Sequence, residues 1–158
     1  MAEKKGFIQK MINGKRRKLA LFYCRNVPES REKDRQALEE AFGEAVSFFP
    51  MPCSGRVEPV HLLRALEEFA DAAYVITCPE GACRNFEGNL RAKKRIERTK
   101  LIIESIGLER ERVGLIVCSK ENPRPLAVLA REIMDRVSSM GPSPALGPET
   151  LNDEEKGI

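Results

Sequence analysis

Four short apolar runs recur along this chain at a spacing of about 30 residues: Lys18–Cys24 (KLALFYC), Ala45–Met51 (AVSFFPM), Ala73–Thr77 (AYVIT) and Val113–Cys118 (VGLIVC). Each is too short for a helix and apolar on both alternating positions, which is the mark of a strand buried on two faces. Between and after them lie four helical patterns: Ser30–Phe42, a helix opening at Glu58-Pro59, Asn89 to about Ile106, and Asn122–Met140. Acid and proline suit a helix start at Glu58-Pro59, and Gly43, Gly107 and Gly141 supply stops. Strands alternating with helices require crossover connections, hence an α/β fold with a parallel sheet covered on both faces. Right-handed crossovers make a doubly wound, mostly parallel four-stranded sheet of order 2-1-3-4 the first expectation.

That sheet places the functional edge. Ligands of doubly wound folds bind beyond the carboxyl ends of the strands, near the point where strand order reverses. The first three strands each end at a cysteine: Cys24, then Cys53 in the turn Pro52-Cys53-Ser54-Gly55-Arg56, then Cys78 at the head of a loop that also carries Cys83. Neighbouring strands lie about 4.8 Å apart, so these loops can converge on a small cofactor. Gly81 and Gly88 allow the last loop to fold its thiols toward one point. Cys118 ends strand four, an edge strand in this order and about 10 Å from strand one, and is left out of the set.

Charge and compartment narrow the chemistry. The chain carries 27 basic and 24 acidic residues, a net +3, so bulk charge makes no case for nucleic acid. No apolar run reaches the roughly 18 residues of a membrane helix, and no apolar segment follows Lys4, Lys5 and Lys10 as a secretory signal requires. The expectation is a cytoplasmic protein, whose thiols stay reduced; five cysteines, an odd number, also argue against a disulfide framework. Residues 1–17 read as a basic arm, 18–140 as the α/β domain and 141–158 as a disordered tail.

Cys24, Cys53, Cys78 and Cys83 therefore form one candidate constellation. Four thiolates suit a [2Fe–2S] cluster, and also a structural zinc, although zinc sites favour Cys-x-x-Cys knuckles that this chain lacks. Ordinary small buried residues are the plain alternative. The lone histidine, His61, falls on a helix and is read as a solvated or partly packed side chain.

The segments PCSGRVEP (52–59) and CPEGACRNFEGN (78–89), followed by a basic helix, resemble the delta subunit family of methyl-viologen-reducing hydrogenase over about residues 18–140. The resemblance implies a small [2Fe–2S] electron carrier, for which Cys24, Cys53, Cys78 and Cys83 are the candidate ligands already singled out. It implies a hetero-oligomer in which the carrier links a hydrogenase-like or other catalytic redox subunit to a heterodisulfide-reductase-like flavoprotein. The first turn of that family commonly reads Cys-x-x-Cys, whereas this chain has Cys24-Arg25-Asn26-Val27.

Other classes compete. A structural adaptor with zinc or no metal would use the same thiols. Cys78 to Arg84 also satisfies C-x5-R, the spacing of thiol phosphatases and arsenate reductases, in which a thiolate attacks and an arginine holds the oxyanion. Against that reading, Asn85 stands where a Ser or Thr is usual, and a second cysteine occupies the loop interior. The run Arg91–Lys100 is a solvated helix face or a docking face for an acidic redox partner; no aromatics interleave with it as nucleic-acid binding would favour.

Overall fold

The structure is a computed structural model that describes residues 17–78 and 88–146. Its strands are β1 (Leu19–Cys24), β2 (Val46–Met51), β3 (Ala72–Thr77) and β4 (Val113–Val117), and its helices α1 (Glu32–Phe42), α2 (Pro59–Glu68), α3 (Gly88–Ser105) and α4 (Leu126–Ser138). All strand pairs are parallel and the order is β2-β1-β3-β4, as expected from the crossovers. The fold is a doubly wound α/β sheet. Side-chain alternation along the central strands divides the core into two layers. Leu19, Leu21 and Tyr23 of β1 and Tyr74 and Ile76 of β3 pack under α1 and α4 through Leu38, Leu126, Leu129 and Ile133. Ala20, Phe22, Ala73 and Val75 pack on the opposite face under Leu62, Leu66, Ile96 and Ile103 of α2 and α3.

Helix ends differ from the sequence expectation where side chains find other partners. The first helix opens at Glu32, not Ser30, because the Ser30 hydroxyl donates to the Val27 carbonyl at 2.5 Å and closes the loop instead. The last opens at Leu126, not Asn122, since each proline at 123 and 125 disfavours helical backbone in the residue before it. Its first amide, Leu126 N–H, donates to the Pro28 carbonyl at 3.0 Å and ties α4 to the loop after β1. Val60 is half exposed, while Leu62, Ala65 and Leu66 carry the buried stripe of α2. His61 caps that helix: its Nδ1 accepts the Glu58 N–H at 3.0 Å.

The amino end of the sheet is closed by a buried polar knot. Asp71 accepts the amides of Lys18 and Ser143, each at 2.8 Å. Arg112, 1% exposed, donates to the carbonyls of Asp71 and Gly141 at 3.0 Å and to the carboxylate of Glu109 at 2.5 Å. Residues 141–143, expected to begin a loose tail, are thus anchored on the sheet; 1–16 and 147–158 lie outside the described residues.

Candidate cofactor site at the carboxyl edge

The opposite end of the sheet carries the thiols. Cys24 closes β1 and opens a turn in which Val27 N–H donates to the Cys24 carbonyl at 3.0 Å, and Arg25 N–H reaches the Met51 carbonyl of β2 at 3.0 Å. Cys53 begins a 3-10 turn, Ser54–Arg56, with its Sγ accepting the Gly55 N–H at 3.4 Å. That turn packs on α3 and touches β1 and β3. Cys78 follows β3 directly, and Cys83 lies outside the described residues, as does the rest of the Cys78–Arg84 run. Cys24, Cys53 and Cys78 are all buried, and none is in a disulfide.

Gly55 explains why a glycine follows this cysteine turn. A Cβ there would sit 2.7 Å from the Gly88 Cα and 2.9 Å from the Gly88 oxygen, inside the backbone that opens α3. Two glycines thus bring the Cys53 turn against the helix that leaves the Cys78 loop. Arg95 of α3 fixes the junction, its Nη1 donating to the carbonyls of Gly55 and, at 2.9 Å, Val57. One cation of the basic run therefore points inward as a clamp, a role that spacing along the sequence does not show.

Cys118 is closer to the constellation than its edge strand implies. β3 and β4 pair Thr77 with Val117, so Cys78 and Cys118 stand opposite each other one residue further on; Cys118 N–H donates to the Thr77 carbonyl at 3.0 Å. Cys118 joins Cys24, Val27 and Cys78 in the core layer under α4. Burial pushes the Cys118 thiol up from its ordinary pKa; Arg124 opposes that shift and neighbouring Cys24 adds to it. The strand order is the expected one, but counting strands measures backbone separation, and side chains on one face lean together across the strand between them.

Three buried polar side-chain atoms have no hydrogen-bond partner among the described residues: Tyr23 OH, Ser54 Oγ and Asn89 Nδ2. Two belong to this edge: Ser54 follows Cys53, and Asn89 follows the Gly88 that receives Gly55. The Tyr23 hydroxyl lies toward α1, with Arg35, Glu32 and Glu39 among the charged groups around it. Burial, the largest influence, pushes the Tyr23 hydroxyl up to about 12, so it stays a neutral donor. An unsatisfied buried donor costs about 1–3 kcal/mol, so the two beside the thiols fit a site that completes them with an acceptor. Sulfur of a thiolate-ligated cluster is such an acceptor. Among the described residues no three Cys, His, Asp or Glu side chains gather closely enough to hold a single metal ion.

The fold and this edge define a doubly wound α/β domain whose distinguishing chemistry is a row of reduced, buried thiols. Residues 19–141 match the family described as methyl-viologen-reducing hydrogenase, delta subunit, and the chain belongs to that family. It is 30% identical over 101 residues to the vhu iron-sulfur subunit of the F420-non-reducing hydrogenase of Methanopyrus kandleri, covering 64% of this chain and 76% of that one. It is 32% identical over 106 residues to the iron-sulfur subunit of the F420-non-reducing hydrogenase of Archaeoglobus profundus, covering 67% and 77%. A further match, 32% over 90 residues, falls within one chain of the ferredoxin/F(420)H(2)-dependent CoB-CoM heterodisulfide reductase of Methanosarcina acetivorans, covering 57% of this chain and 11% of that protein. Among the described residues no helix is long and apolar enough to cross a membrane.

Proposed function

We propose that this chain is an electron-transfer subunit carrying one [2Fe–2S] cluster at the carboxyl edge of its sheet, held by Cys24, Cys53, Cys78 and Cys83. The observation that carries the reading is the coincidence of buried thiols with unsatisfied buried donors at that one edge. The names of its relatives, iron-sulfur subunits of hydrogenases, point the same way. A two-iron cluster takes four thiolates, and three of the four proposed ligands end or follow adjacent strands.

The cluster would supply one-electron transfer, and the protein's contribution is positioning and tuning. The Cys53 turn is held against α3 by Gly55–Gly88 contact and by Arg95, which keeps the turn from drifting when charge changes. The Gly55 amide on Cys53 Sγ is a donor of the kind that raises a cluster's potential, and Ser54 and Asn89 offer more. Aliphatic packing under α4 limits water at Cys24 and Cys78.

Electron carriers work between other redox centres, so the chain is read as one member of a cytoplasmic hetero-oligomer. A hydrogenase-like subunit and a heterodisulfide-reductase-like flavoprotein are the proposed neighbours. Its similarity to an 11% segment of a heterodisulfide reductase chain supports that placement, because there the same kind of domain lies within the larger protein. The test is an anaerobic preparation followed by visible and electron paramagnetic resonance spectroscopy. Charge-transfer bands that bleach on reduction, with a paramagnetic signal appearing, are expected. A colourless protein that hydrolyses an aryl phosphate, with activity lost in Cys78→Ser, would replace this reading with the thiol-phosphatase one.

A further inference from the structure

The outer face of α3 is unlike the other helix surfaces. Leu90 and Leu101 are 46% and 62% exposed, and Ile106, just past the helix, is 69% exposed. Leu90, Lys94, Glu97 and Leu101 follow i, i+4, i+7, i+11 spacing and so form one stripe along the helix. With Arg91, Lys93 and Arg98 they line a shallow groove of about 630 Å³. The charges around it are one-sided. Glu97 is neutralised by Lys100 at 3.6 Å and Arg110 at 3.4 Å. Arg91, Lys93, Lys94 and Arg98 are exposed and make no ion pair among the described residues. A solvated helix face would lack the leucines, and a buried one would lack the cations.

We propose that this face docks an acidic helical segment with apolar anchors, presented by the protein that exchanges electrons with this chain; this rests on the function proposed above. Leu90 and Leu101 take the anchors, and Arg91, Lys93, Lys94 and Arg98 meet carboxylates along both flanks. Two features fix the occupant's chemistry. Four cations without internal partners call for negative charge, and a leucine-to-leucine stripe three turns long calls for helical spacing in the partner. Location fixes its purpose. α3 begins at Gly88, against the Cys53 turn, so a partner seated at Leu90 lies beside the thiol edge. The clamp Arg95 lies on the same helix, so the docking face and the cofactor edge are parts of one rigid element.

The probe is a purified flavoprotein of the heterodisulfide-reductase type from the same organism, with binding to the full chain measured at low and raised salt. Binding is expected to weaken with salt. The variant carrying Lys93→Glu, Lys94→Glu and Arg98→Glu is expected to bind about tenfold more weakly or worse, because like charges then face each other. Arg131→Glu, on the exposed side of α4, should leave affinity unchanged. Hydrogen exchange on the unmodified chain covers the case of a poorly folded variant: protection on binding should concentrate on residues 90–106. Unchanged affinity in the triple variant, or protection confined elsewhere, overturns the proposal. So does tighter α3-dependent binding to anionic vesicles, to nucleic acid or to a second copy of the chain. Iron content is measured on the same samples, so loss of the cluster reading and loss of the docking reading are told apart.

Discussion

The two ends of the sheet solve opposite problems. At the amino end, Asp71 and Arg112 are both buried, yet their charged groups have protein partners. At the carboxyl end, the buried Ser54 hydroxyl and Asn89 amide, next to the Cys53 turn, have no partner among the described residues. A buried group left unsatisfied costs stability, and among the described residues the amino-end knot avoids that cost while the Cys53 turn bears it. The contrast separates the part of the molecule that holds the fold from the part reserved for a guest. It also explains why α3 is clamped by Arg95: an edge short of internal bonds needs support from a neighbouring element.

The amino end should show the largest effect on stability. Arg112→Met removes the donor to the carbonyls of Asp71, Gly141 and Pro142. We expect a loss of about 3 kcal/mol in denaturant unfolding, the scale for removing a charged donor from buried acceptors. Cluster retention in the folded fraction should be unaffected. If Arg112→Met unfolds no more easily than the unmodified chain, the amino end is not the anchor.

Gly55→Ala attacks the carboxyl end. Its new methyl would collide with backbone at Gly88, which cannot swing aside as a side-chain tip can. Overpacking of this kind costs about 1–3 kcal/mol. The sharper expectation is functional: the turn must lift from α3, so iron retention should fall by more than stability does. Equal retention would mean that the Gly55–Gly88 contact serves packing alone.

Cys118→Ser should have the smallest effect, about 1 kcal/mol for a hydroxyl placed at a buried strand end. It should keep the cluster, whereas serine at 24, 53, 78 or 83 should lose it or change its spectrum. Cys118 shares a core layer with Cys24 and Cys78, which makes this comparison decisive. An empty site in Cys118→Ser together with a full one in Cys24→Ser would exchange those two residues in the ligand set.

Strand placement, the 2-1-3-4 order and the thiol edge are legible in the chain because they rest on local signals. Apolar runs mark strands, and chirality restricts how they connect. What stays hidden is long-range in sequence. Gly55 and Gly88, or Arg112, Asp71 and Gly141, are far apart along the chain, and no periodicity announces that they meet. Arg95 looks like one more cation in a basic run, since charge alone does not say which side of a helix turns inward. The resemblance carries the cofactor further than geometry does: the thiols alone are also compatible with zinc.

Metal analysis of anaerobically prepared protein tests the central claim most directly. The account predicts about two iron and two acid-labile sulfide per chain, the composition of the cluster type named. One zinc per chain with no sulfide, or no metal at all in protein shown to be folded, would contradict it.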